Sequence, residues 1–299
     1  MKIKVFAAAL SAALILTAFS GCTQVEEDAP EVTQVTEEEV LPYPVTIGSL
    51  VFNAAPETVG SLSPAITDMI AELGFSDKLV GVSSYCSFEG MPSDLADLGS
   101  SANPDAQAII KAAPELLISH SPIAKKDITA IESTGTRVLI IPAPTSVEEL
   151  CNLYHDIYRV FSGSNENEEQ AVSACFEKLQ NTFEIYDGML GSYVYIMSSK
   201  LAFASDESFC GDFFSHFGKN AAANEEGISV TKERLIELDP EYVIIPSGLK
   251  ISRLPEELSA VKNNKVIRLD KDTEQLLERP TSEVYKAADF VNKAIKEME

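Results

Sequence analysis

Cationic side chains are scarce in this sequence of 299 residues. Twenty-three lysines and arginines face 46 aspartates and glutamates, which leaves a formal net charge of −23. Nucleic-acid binders carry a basic face, so a nucleic acid is not the partner, and neither is a lipid headgroup surface. Strong acidity instead suits docking onto something basic. Histidine is nearly as rare: His120, His155 and His216 are scattered, which disfavours a dedicated transition-metal cage. The cysteines are Cys22, Cys86, Cys151, Cys175 and Cys210, with no C-x-x-C spacing, so no zinc site is indicated and mostly free, partly buried thiols are expected. The signatures G-x-S-x-G, H-E-x-x-H and G-x-x-x-x-G-K-[ST] are all missing, so no catalytic residue and no reaction are assigned. Tryptophan is absent altogether. The longest apolar run, Val5–Phe19, is 15 residues, short of the roughly 20 that span a bilayer.

What is present begins with that run. Lys2 and Lys4 precede it and "AFSGC" ends it, the order of a secretory signal. The five residues resemble the lipobox of bacterial lipoproteins, with Phe19 where leucine is commoner. The resemblance implies a signal peptide over 1–21 and lipidation at Cys22, hence an anchor on the extracytoplasmic face of a cell membrane. Residues 23–44 hold seven acids among 22 positions and show no helical stripe. Like charges extend such a segment, so 22–44 is expected to be an acidic tether.

Beyond residue 45 the 45 % hydrophobic composition can fill a sizeable core. "VTIGSLVFN" predicts a short strand or hairpin, and "SPAITDMIAELG" a helix with Ser63 at the N-cap and Pro64 in its first turn. Ile66, Met69, Ile70 and Leu73 form its buried stripe. Strands are predicted in "KLVGVSSY" and "TRVLIIPA". The helix, Pro-Glu and strand of "DAQAIIKAAPELLIS" recur in "TKERLIELDPEYVIIPSG", and "NKVIRLD" mirrors "TRVLIIPA". Between these copies, "SVEELCNLYHDIYRVF" and "EQAVSACFEKLQNTFEIYDGML" predict two helices. The expected plan is α/β: a lobe over 45–145, a helical connector over 146–190, and a second lobe over 191–299.

"TVGSLSPAITDMIAELGFSDKLVGVSSY", "AIIKAAPELLIS", "VTKERLIELDPEYVII" and "LLERPTSEVYKAADFVNKAI", in that order behind a lipobox, resemble the class III substrate-binding proteins of ABC importers. Those proteins serve cobalamin, haem and iron–siderophore uptake. The resemblance implies two Rossmann-like lobes with parallel sheets joined by a long rigid helix, and a large metal-containing small molecule held between them. It implies no cofactor of the protein's own, a monomer, and a permease as partner. Ligand sites in such lobes lie beyond the carboxyl ends of the strands. The segments there are Ser63-Pro64, Ser84-Tyr85, Ser119-His120, Ser198-Ser199 and Ser247-Gly248.

"GVSSYC" and "ERPTSE" are most similar to the cobalamin-binding members of the family, which points to Tyr85, Arg279 and the nearby Gln275 as ligand contacts. Ser63, Pro64 and His120 join them. Those members line the site with tryptophan, so Phe203 and Phe209 are the expected substitutes, Phe209 the more readily explained as core. Catecholate siderophores need several cations, and of six arginines only Arg279 falls at a cleft segment, so a corrinoid ranks ahead of haem or another chelate. The family also docks each lobe on the permease through a glutamate. Glu233 matches in the second lobe; in the first, the corresponding residue is Gln107, with Asp105 two positions away. A surface enzyme and an adhesion lipoprotein are the alternatives from other classes, and a sensor component would share every one of these features.

Overall fold

A computed structural model of the chain describes residues 41–88, 90–197, 202–225 and 231–298. The signal peptide, Cys22, the tether up to Val40 and the Ser198-Ser199 strand end lie outside the described residues. No helix among those described is long and apolar enough to cross a membrane.

The chain opens with a hairpin, β1 (Val45–Ile47) and β2 (Leu50–Phe52). The first lobe follows: β3 (Val59–Ser61), α1 (Pro64–Glu72), β4 (Leu79–Val82), β5 (Ala96–Asp97), the small hairpin of β6 (Gly99–Ser100) and β7 (Asn103–Pro104), α2 (Ala106–Ala112), β8 (Leu116–Ser119), α3 (Lys125–Glu132) and β9 (Arg137–Ile140). The connector is a helix pair, α4 (Val147–Ser162) and α5 (Glu168–Ile185). The second lobe comprises β10 (Gly191–Met197), β11 (Ala202–Phe203), α6 (Phe209–Ser215), β12 (Gly218–Asn220), α7 (Lys232–Leu238), β13 (Tyr242–Ile245), α8 (Ser259–Lys262), β14 (Val266–Arg268), α9 (Lys271–Glu278) and α10 (Tyr285–Met298).

The lobes repeat one topology. Parallel strands run β5-β4-β3-β8-β9 in the first sheet and β12-β10-β13-β14 in the second. In each, the opening strand is central, the next strand lies on one side, and the strand after the Pro-Glu pair lies on the other. The two helices before those pairs agree in detail. Each has seven residues, a side-chain N-cap (Asp105, Thr231) and a left-handed C-cap, Ala113 at φ 48° and Asp239 at φ 35°. The proline that follows cannot continue a helix, so the chain is turned directly into the strand.

The sheet period of two sorts the core. Leu116 and Ile118 of β8, Leu139 of β9, Tyr193 and Tyr195 of β10, and Tyr242 and Ile244 of β13 all face one large apolar cluster that also takes in Leu150, Leu153, Tyr154 and Ile157 of α4 and Phe176 and Leu179 of α5. Their alternates face separate outer clusters, Leu117 and Val138 in the first lobe and Val194, Ile196, Val243 and Ile245 in the second. The inner faces of both sheets thus share one core with the connector. Helix α5, 18 residues or about 27 Å long, joins the lobes. It is pinned to α4 where Glu168 accepts from His155 at 2.8 Å and Arg159 at 2.7 Å.

Three local expectations are revised. Pro42–Pro44 were assigned to the tether, yet Tyr43 donates its hydroxyl to the Val160 carbonyl at 3.1 Å, and Ser164 donates to that of Pro42 at 2.8 Å. Gly163, at φ 67°, is required there, because a Cβ would stand 2.2 Å from the Pro42 oxygen. Ser63 occupies the N-cap of α1, but its hydroxyl does not cap the helix. Phe203 is a core residue rather than a cleft wall. It is paired with Ile196 across β10 and β11, turned to the same face, and 1 % exposed.

Candidate functional site

The loops after β3, β4, β8 and β9 leave the carboxyl edge of the first sheet together, as parallel strands require. They are tied there by side chains. Ser63 accepts the His120 N–H at 2.8 Å, joining the β3–α1 turn to the β8 loop, and His120 Nδ1 bonds the Ile141 carbonyl at 2.9 Å beyond β9. Burial holds the His120 pKa below its ordinary value, against the opposing pull of the Ile141 and Pro142 carbonyls. The imidazole is therefore neutral, with its proton on Nδ1, and Nε2 is buried without a hydrogen-bond partner among the described residues.

Two adjoining cavities open where these loops meet the second lobe. One, of about 360 Å³, is lined by Ser63, Pro64, Ser83, Tyr85 and His120 from the first lobe and by Arg279 and Pro280 from the second. The other, of about 820 Å³, runs along α1 and α9 between Pro64, Asp68, Glu72, Tyr85, Gln275 and Arg279. Pro64, Tyr85 and Arg279 line both and make them one cleft. The larger part alone lies near the top of the roughly 300–1,000 Å³ range of small-molecule sites. Tyr85 is 66 % exposed at the junction, a large ring left uncovered. Arg279, at the C-terminal end of α9, makes no ion pair within 4.0 Å among the described residues.

Six of the seven residues expected at the ligand site, Ser63, Pro64, Tyr85, His120, Gln275 and Arg279, therefore line this cleft, and Phe203 does not. Ser247 is otherwise engaged, donating its N–H and hydroxyl to Glu274. The sequence reading missed the carboxylates. Asp68, Glu72, Asp272 and Glu283 line the larger cavity against only Arg279 and Lys286, and Lys286 is already paired with Glu283 at 2.6 Å. The signal was available: Asp68 and Glu72 follow Pro64 at helical spacing on the face of α1 opposite its buried stripe.

Glu72, on the cleft wall, is also anchored. It accepts hydrogen bonds from Tyr154 of α4 and from Ser282 Oγ, and the Tyr154 hydroxyl accepts the Ser282 N–H at 2.8 Å. First lobe, connector and second lobe meet in that triad. Burial and the Glu72 charge push the Tyr154 phenol well above its ordinary range, so it stays a donor. The four described cysteines are free, and burial raises Cys175 to about 11 and Cys210 to about 12, which keeps both as inert thiols.

The expected docking residues stand elsewhere on the surface. Gln107 and Glu233 are exposed at equivalent second positions of α2 and α7. Asp105 is the N-cap of α2, its Oδ1 accepting from the N–H groups of Gln107 and Ala108 at 3.0 Å.

The model of a family described as periplasmic binding protein matches residues 59–273. An uncharacterised ABC transporter substrate-binding lipoprotein of Bacillus subtilis, YvrC, is 22 % identical over 292 residues, covering 90 % of each chain. The vitamin B12-binding protein of Photorhabdus laumondii is 24 % identical over 217 residues, 68 % of this chain and 75 % of its own. Among solved structures, a possible iron-binding (periplasmic solute-binding) protein of Staphylococcus epidermidis superposes with a TM-score of 0.64 at 20 % identity, covering 80 % of this chain and 98 % of that one.

Proposed function

This chain belongs to the periplasmic binding protein family, and we propose that it is the extracytoplasmic substrate-binding lipoprotein of an ABC importer, taking a corrinoid in the cleft between its lobes. The observation that carries the reading is the pair of confluent cavities sharing Pro64, Tyr85 and Arg279. Their volume suits a large ligand, and the exposed Tyr85 ring offers an apolar face to a flat macrocycle. The similarity to a lipoprotein named for ABC transport, and to a vitamin B12-binding protein, supports both halves of the proposal. In this reading Cys22 carries the lipid, Glu233 docks the second lobe on the permease, and Gln107 or Asp105 serves the first. Binding is its whole task, without catalysis or a resident cofactor.

Haem or an iron chelate is the second reading, favoured by the structural likeness to a possible iron-binding protein and by Arg279, the one cation lining the cleft that makes no ion pair among the described residues. Calorimetric titration of the full chain with cyanocobalamin, haemin and ferric siderophores separates the two. Saturable binding of cyanocobalamin alone is expected, weakened at least tenfold by Tyr85→Ala or Arg279→Ala. Binding of haemin or a siderophore in its place would overturn the corrinoid assignment.

A further inference from the structure

We infer that Asp68 and Arg279 together recognise a primary carboxamide of the ligand, the Asp68 carboxylate accepting its N–H and the Arg279 guanidinium donating to its carbonyl oxygen. The inference rests on the corrinoid reading and names the chemical group by which that ligand is selected.

Both side chains line the 820 Å³ cavity, one from each lobe. Neither has a side-chain hydrogen bond or a close ion pair among the described residues, whereas two of the carboxylates beside them are engaged. Glu72 is held by Tyr154 and Ser282, and Glu283 by Lys286. Asp272 on the same wall is likewise unbonded among the described residues but exposed to solvent, so the half-buried Asp68 is the uncommitted acceptor set beside the uncommitted donor Arg279. An amide supplies the complement to both. A carboxylate satisfies only Arg279 and meets the charge of Asp68, Glu72 and Glu283, which like-charge repulsion in a partly desolvated site penalises. The charges facing Asp68 are Glu72 from its own helix, Arg279 at the end of α9, and Glu283 before α10. Asp272 and Lys286 line the same cavity, and the Cys86 thiol lies close by. Burial, then Glu72 and Glu283, raise Asp68 to about 7 against the opposing pull of Arg279. Its ionisation therefore falls in the physiological range, and discrimination against a carboxylate sharpens as pH rises through 7.

The test compares cyanocobalamin with its monocarboxylic acid derivatives, in which one peripheral amide has become a carboxylate. Each is titrated into the full chain at pH 6 and pH 8. At pH 8 at least one acid isomer is expected to bind about tenfold more weakly than cyanocobalamin, with a smaller gap at pH 6. In Asp68→Asn the same isomer regains affinity, a gain that a misfolded variant could not produce. Equal binding of all the acids by the wild-type chain, or discrimination unchanged in Asp68→Asn, would overturn the inference while tight cyanocobalamin binding preserved the corrinoid reading. Absence of cyanocobalamin binding at either pH would remove that reading and the inference with it.

Discussion

The two lobes share a strand order and a helix–Pro-Glu–strand motif, yet they are filled differently. The first lobe packs α1 through aliphatic and thioether side chains, Ile66, Met69 and Ile70, all fully buried. The second packs α6 through rings: Phe213 lies 5.1 Å from Phe214 and 5.2 Å from Phe217, centre to centre, with Phe209 and Phe183 beyond. The cleft reverses this contrast. Its exposed aromatic, Tyr85, and its half-buried imidazole, His120, come from the first lobe, and its unpaired cation, Arg279, from the second. A duplicated topology therefore constrains where strands end, while the side chains on those ends remain free to diverge.

The contrast in filling sets the largest expected effect. Phe213→Ala removes a fully buried ring from a cluster of rings and is expected to destabilise the chain by about 3–5 kcal/mol, with the lost ring contacts placing it toward the upper end. Met69→Ala in the first lobe, losing a flexible side chain from an aliphatic site, is expected to lose less. Urea unfolding of both variants measures the difference, and equal losses would show that the aromatic cluster adds nothing beyond its volume.

Next comes the point where the lobes meet. Tyr154→Phe leaves the buried Ser282 N–H without its acceptor and takes a donor from Glu72. The expected loss is about 1–3 kcal/mol, read in the same unfolding experiment. A loss under about 0.5 kcal/mol would mean that the triad does not hold the lobes together.

Asp68 gives a smaller effect of opposite sign. Its folded-state pKa of about 7 lies above the ordinary 3.8, so the fold favours its protonated form. The stability this lends is fully present below about pH 4 and is lost as pH rises through 7. Asn cannot ionise, so Asp68→Asn is expected to exceed the wild-type chain by about 1–2 kcal/mol at pH 8, a figure discounted for partial solvent screening. The gap closes toward pH 4. Thermal melts across that range check it, and a gap independent of pH would exclude ionisation as its source.

How much of this was legible in the sequence follows from which signals are local. The Pro-Glu pairs, the stripe of Ile66, Met69 and Ile70, and the apolar run "YVII" each depend on neighbours within a turn or a strand, and they gave the lobes and their order. Ser63, Tyr85, His120 and Arg279 were placed at strand or helix ends by the same grammar together with the family resemblance. What escaped depends on contacts across long separations. Phe203 is buried because β11 doubles back on Ile196, which two residues of strand cannot announce. The Ser63 hydroxyl goes to His120, 57 positions away, rather than to its own helix. Asp68 and Glu72, half of the cleft's acidic wall, lay on a helix whose buried face was read and whose opposite face was not.

The least effect on the fold is expected at the two exposed docking candidates. Gln107 and Glu233 occupy equivalent exposed helical positions and differ by one charge, so exchanging them should leave thermal stability within about 0.5 kcal/mol. Function is where they are expected to part. A glutamate on an arginine-bearing permease makes a charge-assisted hydrogen bond, worth about 1.5–3 kcal/mol, that a neutral amide makes more weakly. Glu233→Gln is therefore expected to weaken permease binding about tenfold, and Gln107→Glu to strengthen it by making the two positions alike. Both are measurable as the concentration of binding protein that half-saturates stimulation of the reconstituted importer's ATPase. If Gln107→Glu weakens docking instead, the first lobe meets its partner through Gln107 itself or through Asp105. Asp105→Asn distinguishes these, because Asn still caps α2 while losing the charge that a basic partner would read.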